Sequence, residues 1–495
     1  MRAQALPQLL DGLVADVPAQ TIAGVALDSR KVREGDLFLA VQGVNGVHGL
    51  RYLDEALARG AAAVAWEPGA DTPPPVAAVP VVAIPDLARR SGEIAARFFG
   101  RPADQLFTMG ITGTDGKTST AWLAAQALER LGRPCAYFGT LGNGRLPTLA
   151  PSTHTTLDPV SLQAQLAAQG QAGIRAVAME VSSHALDQQR VAGMRFDVAV
   201  LTNITRDHLD YHGSEAAYVE AKRSLFARYC RGVCVLNRDD AWGRRWLDAF
   251  PDVLSYGLEG DMPVSGDYLI GRELQLHAQG LRLRLQGPEG SAEVDSRLLG
   301  RFNAYNLVAA AAALRVGGLR LQDIATALSE VDTVPGRIEG FRAPGRPLVV
   351  VDYAHTPAAL AQVLRALREH CSGRISVVFG CGGDRDRGKR PLMAAAAAAA
   401  ADRLIITDDN PRGESPADIV ADIVAGLPSP PDGDRCRIEH DRAAAIRLAL
   451  DTAAPGDVVL LAGKGHETVQ ITGTTQRPFS DRQIAAELLG LEPRP

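Results

Sequence analysis

The chain reads as an α/β protein of three domains, the central one built on a mainly parallel sheet with helices over its faces. Three observations carry that expectation. At 495 residues the chain is too long for a single hydrophobic core. Short apolar runs alternate with helical or polar stretches along most of its length, the pattern of strands joined by crossover helices. One of those runs, 106–111, passes straight into a glycine-rich turn and then a helix.

That turn is Gly113-Thr114-Asp115-Gly116-Lys117-Thr118-Ser119. The helical pattern after it covers 117–131, with Ala124, Leu128 and Leu131 on its apolar face and Gly132 and Pro134 to stop it. Strand, glycine loop and helix N-terminus together make a phosphate cradle, because backbone N–H groups and the positive end of the helix dipole converge on an anion. Lys117 supplies charge to the terminal phosphates and Thr118 a hydroxyl for Mg²⁺. The strict motif has a further glycine where Ile111 stands, so this is a shortened loop flanked by Gly110 and Gly113. The plain alternative is an ordinary strand–helix turn.

Domain 1–102 has strand-like runs at 25–27, 37–41, 61–66 and 79–84, a helix at 50–59 ended by Gly60, and a Pro-rich surface loop at 69–75. Asp86 is placed to cap a helix running to Phe99, and 100–102 reads as a linker. Domain 103–335 continues with apolar runs at 176–179, 196–201 and 233–236, then alternating leucines around 278–280 that predict an antiparallel hairpin. Domain 336–495 repeats the strand–helix alternation at 348–351, 375–379, 403–407 and 458–462. The alanine run 394–401 predicts a small-faced helix with no chemistry, and 491–495 a frayed end.

Composition excludes several classes. A net charge of −5 argues against nucleic-acid binding. No apolar run reaches membrane-spanning length, and the N-terminus lacks the pattern of a secretion signal. The six cysteines are scattered without a Cys-x-x-Cys pair, which makes a disulfide or zinc-ligand reading weak and fits a reducing cytoplasm best.

Polar residues at the ends of predicted strands are the candidates for chemistry, since open α/β sheets bind ligands there. Glu180 closes one run and can hold Mg²⁺ opposite the cradle, or be a surface charge or cap. Asn203-Ile-Thr-Arg-Asp207-His208-Leu-Asp210-Tyr-His212 follows the next, and His208 is the proposed nitrogen ligand. Lys222, by its neighbours alone, reads as a surface lysine. Three further loops, 380–391, 408–412 and 463–467, follow three strands of the last domain. Their Arg390, Asp409, Arg412 and Glu467 offer both signs of charge, which a zwitterionic ligand needs.

These motifs, together with Gly300-Arg-Phe-Asn303-Ala-Tyr-Asn306, Pro335-Gly-Arg337 and Asp352-Tyr-Ala-His355, occur in an order that resembles the Mur ligases. Those are the ATP-dependent amino-acid-adding enzymes of peptidoglycan synthesis. The resemblance covers essentially the whole chain. It implies a central P-loop ATPase-type domain, an N-terminal domain for a UDP-linked substrate and a C-terminal Rossmann-like domain for the amino acid. It also implies an ADP-forming ligation through an acyl phosphate, in a cytoplasmic monomer that uses ATP and Mg²⁺. Closure about Gly336-Arg337 would then bring the reactants together.

Site roles follow from the resemblance position by position. Gly113, Thr114, Asp115, Gly116, Lys117, Thr118, Ser119, Asn303, Asn306, Arg337 and Asp352 are expected at ATP. Leu27, Ser29, Val44, Asn45 and Gly46 are expected at the uridine end, and His154, Thr155, Thr156, Ser182, Gln188 and Arg190 at the muramoyl-dipeptide. Thr118, Glu180, His208 and Lys222 as a carbamate are expected at Mg²⁺, with Lys117, Glu180, His208 and Lys222 as the catalytic set. Arg390, Asp409, Asn410, Pro411, Arg412, Gly463 and Glu467 are expected at the amino acid. Two positions depart from the family pattern: Asp115 replaces an asparagine, and His154 stands where relatives have Asn.

The stretch Asp409-Asn410-Pro411-Arg412 implies meso-2,6-diaminopimelate as the added amino acid and UDP-N-acetylmuramoyl-L-alanyl-D-glutamate as its acceptor. An arginine can bind the second carboxylate that lysine lacks. Addition of L-lysine, a folylpolyglutamate-synthetase-type ligation and a non-enzymatic nucleotide-gated switch are the competing readings.

Overall fold

The computed structural model describes residues 3–43, 46–69, 72–152, 154–260 and 266–492. Val44 and Asn45, expected at the uridine end, lie outside the described residues, as do Ala70 and Asp71 of the predicted surface loop and 493–495 of the chain end. The chain divides into two compact units, 1–269 with 309–320, and 270–308 with 321–495.

The first unit opens on a parallel four-stranded sheet, Gly24–Ala26, Asp36–Ala40, Ala63–Trp66 and Val81–Ala83, paired in chain order. Asp36–Ala40 is buried along its whole length, and the two-residue period divides it between two cores. Leu37 and Leu39 pack with Ile94 and Phe98, while Phe38 and Ala40 pack with Ala56. The predicted helix at 50–59 is instead a 3₁₀ turn, Gly49–Tyr52, running into the helix Leu53–Ala58. Asp86 does stand at the N-cap of Leu87–Phe98, but in a left-handed conformation whose side chain makes no capping bond.

The second sheet of this unit lies around Phe107–Thr112. Its strand order is Val253–Gly257, Cys230–Asn237, Phe196–Leu201, Phe107–Thr112, Ala176–Glu180, Cys135–Gly139 and Gly142–Arg145, parallel except for the last pair. The chain starts in the middle, builds one side, then crosses to build the other. Such a reversal leaves a crevice at the strand C-termini on either side of the first strand. The helix Lys117–Arg130 matches the predicted span to within a residue.

The second unit contains, from Ile270 onward, three antiparallel strands, Asp267–His277, Gly280–Gly287 and Gly290–Ser296, the first of which starts in the first unit. The first two are the predicted hairpin. The third escapes sequence reading because only Ala292, Val294 and Ser296 of it are buried, a pattern too polar to stand out. Its main sheet has the order Glu339–Phe341, Leu348–Asp352, Val458–Ala462, Ile375–Phe379, Arg403–Ile406 and Cys436–Ile438, with only the first pair antiparallel. Alternation again divides each strand: Val350 and Leu460 face one core, Val349, Val351, Val459 and Leu461 the other. The alanine run lies in the helix Lys389–Ala400, with Met393, Ala394 and Ala397 inward. Among the described residues all six cysteines are free, and no helix is long and apolar enough to cross a membrane.

Within the first unit the helix Leu87–Phe98 meets the segment before Phe196 backbone to backbone. A Cβ on Gly92 would lie 2.1 Å from the Ala192 carbonyl oxygen, and one on Gly193 2.4 Å from that of Gly92. Overpacking so close a contact costs about 1–3 kcal/mol. Gly92→Val is therefore expected to lower the midpoint of the first thermal transition, followed by calorimetry, while Gly170→Ala, which meets nothing within 4 Å and has no positive φ, leaves it unchanged.

Candidate active site

Register brings the site together. Glu180 pairs with Ile111 and Leu201 with Thr112, so the three central strands end level and their following loops share one edge. The loop after Thr112 crosses directly over the loop after Leu201. A Cβ on Gly113 would lie 1.8 Å from Thr202 Oγ1, so only glycine fits there. Asn203 then holds the loop from both sides: its carbonyl accepts from Thr114 N at 2.8 Å, and its side chain accepts from Asp115 N and donates to Asp115 O. Thr202 Oγ1 donates to the same carbonyl at 2.6 Å. Gly116, at φ 81°, turns the chain into the helix that begins at Lys117. The Asp115 side chain is exposed and makes no hydrogen bond to the described residues.

Two lysines converge on this loop. Lys117 Nζ donates to the carbonyls of Gly113 and Thr114 at 2.9 and 2.8 Å. Lys222 Nζ donates to the Gly113 carbonyl at 2.7 Å and lies 4.6 Å from the centre of the Tyr218 ring. Lys222 is only 1% exposed, so it is not the surface lysine its neighbours suggest. Burial, and then the nearby Lys117 charge, push its pKa well below that of an ordinary lysine. Burial lowers the Lys117 pKa as well, opposed by Glu180, Asp115 and Asp207.

Glu180 is 1% exposed and surrounded by donors. Thr118 Oγ1 donates to Oε2 at 2.8 Å, Tyr137 Oη and Thr140 N to Oε1 at 2.5 and 2.9 Å, and Thr140 Oγ1 to Oε2 at 3.3 Å. A Cβ on Gly139 would sit 2.1 Å from Oε1, which leaves that approach open to the carboxylate alone. Burial, and then the Glu180 charge, raise the Tyr137 pKa, keeping the phenol a donor. Sequence reasoning passed over Tyr137 because an aromatic in an apolar strand reads as core.

The set Thr118, Glu180, Asp207 and His208 suits Mg²⁺, which prefers hard oxygens and few protein ligands, with phosphate and water completing its shell. No group of three or more His, Cys, Asp or Glu gathered for a metal occurs among the described residues. His208, at φ 51°, has Nε2 3.4 Å from Asp207 Oδ2 and its ring 4.8 Å from that of His184.

The residues expected at the muramoyl-dipeptide gather beside Glu180. Thr156 Oγ1 donates to the Glu180 carbonyl at 2.9 Å and accepts from Ser182 N. Thr155 Oγ1 accepts from Thr140 Oγ1 at 3.1 Å. Ser182 Oγ caps the helix Ser183–Asp187. Arg190 donates to Gln188 Oε1 and to the Thr156 carbonyl, and Gln188 donates to Tyr211 Oη, which donates to Asp187. Tyr211 and Asp187 thus support two expected contacts and were not singled out in the sequence. His154 closes a tight turn with Ser152. In the four-stranded region the Ser29 hydroxyl is 6% exposed and donates to Glu55 at 2.6 Å, Leu27 is half-buried, and Gly46 N donates to the Gly43 carbonyl.

The second unit carries its own set. Asn303 donates to the Leu299 carbonyl and accepts from Asn306 Nδ2 at 3.0 Å. Asp352 accepts from Ile338 N and Ala354 N at 2.8 and 2.7 Å, so it pins the segment carrying Arg337; burial raises its pKa. Arg337 is exposed and lies 5.1 Å over the Tyr353 ring.

Loops 380–391, 408–412 and 463–467 do gather at one sheet edge. Gly383 N donates to the Asn410 carbonyl at 2.9 Å, and Asn410 Nδ2 to Glu467 Oε2 at 2.9 Å. Pro411 is buried, and a Cβ on Gly463 would lie 2.8 Å from Asp409 Oδ2. Arg412 is half-buried at φ 50°, and only its Nη1 is engaged, by the Gly383 and Asn410 carbonyls. Arg390 is a correction. Its side chain is 0% exposed and paired with Glu414 and Asp422, so it braces the loop from inside and cannot meet a ligand. The pairing lowers the Glu414 pKa to about 2. The arginine of that loop exposed beside Arg412 is Arg385: a Cβ on Gly382 would meet Arg412 Nη1 at 2.7 Å and Arg385 Cγ at 3.8 Å.

A phosphate cradle with an acid at the neighbouring strand end, and a second sheet bearing a loop group of mixed charge, define a nucleotide-using α/β enzyme. Known proteins narrow the class. Residues 21–99 match the model of the Mur ligase family catalytic domain, 111–314 the Mur ligase middle domain, and 336–465 the Mur ligase glutamate ligase domain. A UDP-N-acetylmuramoyl-L-alanyl-D-glutamate–2,6-diaminopimelate ligase of Alkalilimnicola ehrlichii is 51% identical over 490 residues, 97% of each chain. One of Ectopseudomonas mendocina is 48% identical over 470 residues, 94% of this chain and 95% of its own. A solved structure of a ligase of the same name superposes with a TM-score of 0.79 at 37% identity, covering 99% of each chain. The chain belongs to the Mur ligase family, whose members are ATP-dependent, ADP-forming ligases.

In an ATP-dependent ligase of this family, Lys117→Ala would remove the ammonium proposed to meet developing phosphoryl charge. Phosphate release is expected to fall by at least about 10²-fold, with an unchanged circular-dichroism melt because the lysine is bonded only to its own loop.

Proposed function

We propose that the protein adds meso-2,6-diaminopimelate to the γ-carboxylate of the D-glutamyl residue of UDP-N-acetylmuramoyl-L-alanyl-D-glutamate, at the expense of ATP. The observation that carries the reading is the loop group of the second unit. There an arginine with free guanidinium nitrogens, Arg412, shares a small site with Glu467, whose Oε1 is unengaged. Diaminopimelate presents a carboxylate and an ammonium at its far end and so uses both. Lysine presents only an ammonium and leaves the arginine without a partner, a costly arrangement in a partly buried site. Arg385, exposed beside Arg412, adds a second cation for the carboxylates.

The chemistry follows from the groups in place. A carboxylate resists attack by an amine because its oxygen leaves poorly, so it is first phosphorylated. The γ-carboxylate attacks the terminal phosphate in line, giving an acyl phosphate and ADP. Lys117 and the backbone N–H groups of 113–118 hold the phosphates, and Lys117 neutralises charge as it develops. Thr155, Thr156, Ser182, Gln188 and Arg190 orient the dipeptide beside Glu180, while Leu27, Ser29 and Gly46 serve the uridine end. Asn303, Asn306, Arg337 and Asp352 serve the nucleotide. The amine then attacks the acyl carbon, and phosphate leaves from the tetrahedral intermediate as the amide forms.

Mg²⁺, when bound, supplies charge neutralisation on the phosphates; Thr118, Glu180, His208 and a carbamylated Lys222 would hold it. Carbamylation has a physical basis here. The depressed pKa keeps part of the Lys222 amine neutral, and only the neutral amine adds to CO₂. The N–C bond forms as the amine loses a proton, and a cation beside Lys117 becomes an anion. Incubation with ¹³C-bicarbonate is expected to give one carbamate carbonyl resonance, absent from Lys222→Arg. Its absence from both proteins would leave the lysine unmodified.

Phosphate release should require the UDP-dipeptide and an amino acid together, with diaminopimelate far ahead of L-lysine. Arg412→Ala should raise the KM for diaminopimelate by at least about tenfold, as loss of a charge-assisted contact worth 1.5–3 kcal/mol demands. Equal use of lysine by the wild type would overturn the amino-acid assignment, and ATP turnover indifferent to any amino acid would favour a nucleotide switch.

A further inference from the structure

Lys464 lies in the motif Gly463-Lys-Gly465-His-Glu467 but has no part in the chemistry above. Its side chain is 0% exposed, so it touches no ligand. Its ammonium donates to Glu467 Oε2 at 2.9 Å, Asn410 Oδ1 at 3.1 Å and the Val469 carbonyl at 2.8 Å, using all three N–H groups. Asn410 Oδ1 also accepts from Ile471 N at 3.0 Å, which fixes the amide so that Nδ2 faces Glu467. Two donors therefore hold one oxygen of Glu467, and the other, Oε1, accepts no hydrogen bond among the described residues.

Resting on the diaminopimelate reading, we propose that Lys464 is a positioning residue for the added amino acid. It locks the Glu467 carboxylate and the Asn410 amide into the one arrangement that presents a free acceptor to the ligand's ammonium. A buried ammonium suits this task because its desolvation is offset only while all three acceptors stay in place. Release of Glu467 would leave it with an acceptor missing, so the arrangement resists being undone. Arg390 bonds to none of these acceptors and braces a different loop, so the effect belongs to Lys464.

The test compares Lys464→Met, Glu467→Gln and the double variant by steady-state phosphate release, titrating each substrate separately. Lys464→Met is expected to raise the KM for diaminopimelate about tenfold, leaving the KM values for ATP and UDP-dipeptide within twofold. Because Lys464 acts by holding Glu467 and its partner Asn410, the loss in the double variant should be smaller than the two single losses combined. Additive losses, or equal rises in all three KM values, would overturn the proposal. If Lys464→Met folds poorly, its effect in the Glu467→Gln background, where no buried carboxylate loses its partner, decides the same question. A wild type that prefers another amino acid overturns the substrate reading instead, and the preferred amino acid then serves as the probe for Lys464.

Discussion

The pairing of Phe107–Thr112 between Ala176–Glu180 and Phe196–Leu201 is the constraint on which the catalytic half depends. Parallel strands in level register deliver their following loops to one edge, and here those loops are a phosphate cradle, an acid and a polar clamp. A one-residue slip would send Glu180 to the opposite face of the sheet. The register is secured because all these strands are buried on both faces, so their alternate side chains are committed to separate cores. Glu180 itself is affordable only through its donors. A buried carboxylate without partners costs several kcal/mol, and hydrogen bonds to charged groups return about 1.5–3 each. Thr118 supplies them from one segment and Tyr137 and Thr140 from another, so the acid is fixed in position by the same contacts that make its burial tolerable.

The second unit handles charge differently. Arg390 with Glu414 and Asp422, Arg442 with Asp481, and Lys464 with Glu467 are all pairs in which the cation is fully buried. Such pairs contribute little net stability against well-packed apolar alternatives, but removing one partner is costly. What they provide here is rigidity under loops. Arg442 donates to the Ala462 carbonyl, at the end of the strand just before Gly463, and to Asp481 on the last helix. The loops that display Arg412 and Arg385 are thus braced from beneath; Arg387 of the same loop is exposed but paired with Asp422.

How much of this could be read in advance depends on what makes a residue conspicuous. The cradle was legible because Gly113, Gly116 and Lys117 sit between a clear strand and a clear helix. The strands 348–352, 375–379 and 458–462 were legible as dense apolar runs. The clustering of three loops followed from the parallel alternation alone. The strands Gly142–Arg145 and Cys436–Ile438 were not, because they are short and poor in apolar residues. Tyr137 and Lys464 were missed because their roles arise from contacts between distant segments. Arg390 was misread for the same reason. Nothing local distinguishes an arginine folded inward onto Glu414 and Asp422 from Arg385, five residues earlier, which faces out.

Lys222 and Asp115 show the two ways a local reading can mislead. Lys222 carries the neighbours of a solvated helix lysine, yet the helix Glu215–Ser224 turns it inward onto the Gly113 carbonyl. Asp115 replaces an asparagine, and an acid beside a phosphate site invites the expectation of repulsion. The structure separates its two parts. The backbone of Asp115, not its side chain, is what Thr202 and Asn203 grip, so the loop closes equally well around either residue. The carboxylate stays exposed, where solvent screens it. Its remaining effect falls on Lys117 and Lys222, where with Asp207 it opposes the lowering of the pKa by burial. On the proposed reading, in which Lys117 meets phosphate as a cation, that neighbour favours the charged form, so the departure from the family pattern need not disturb the loop.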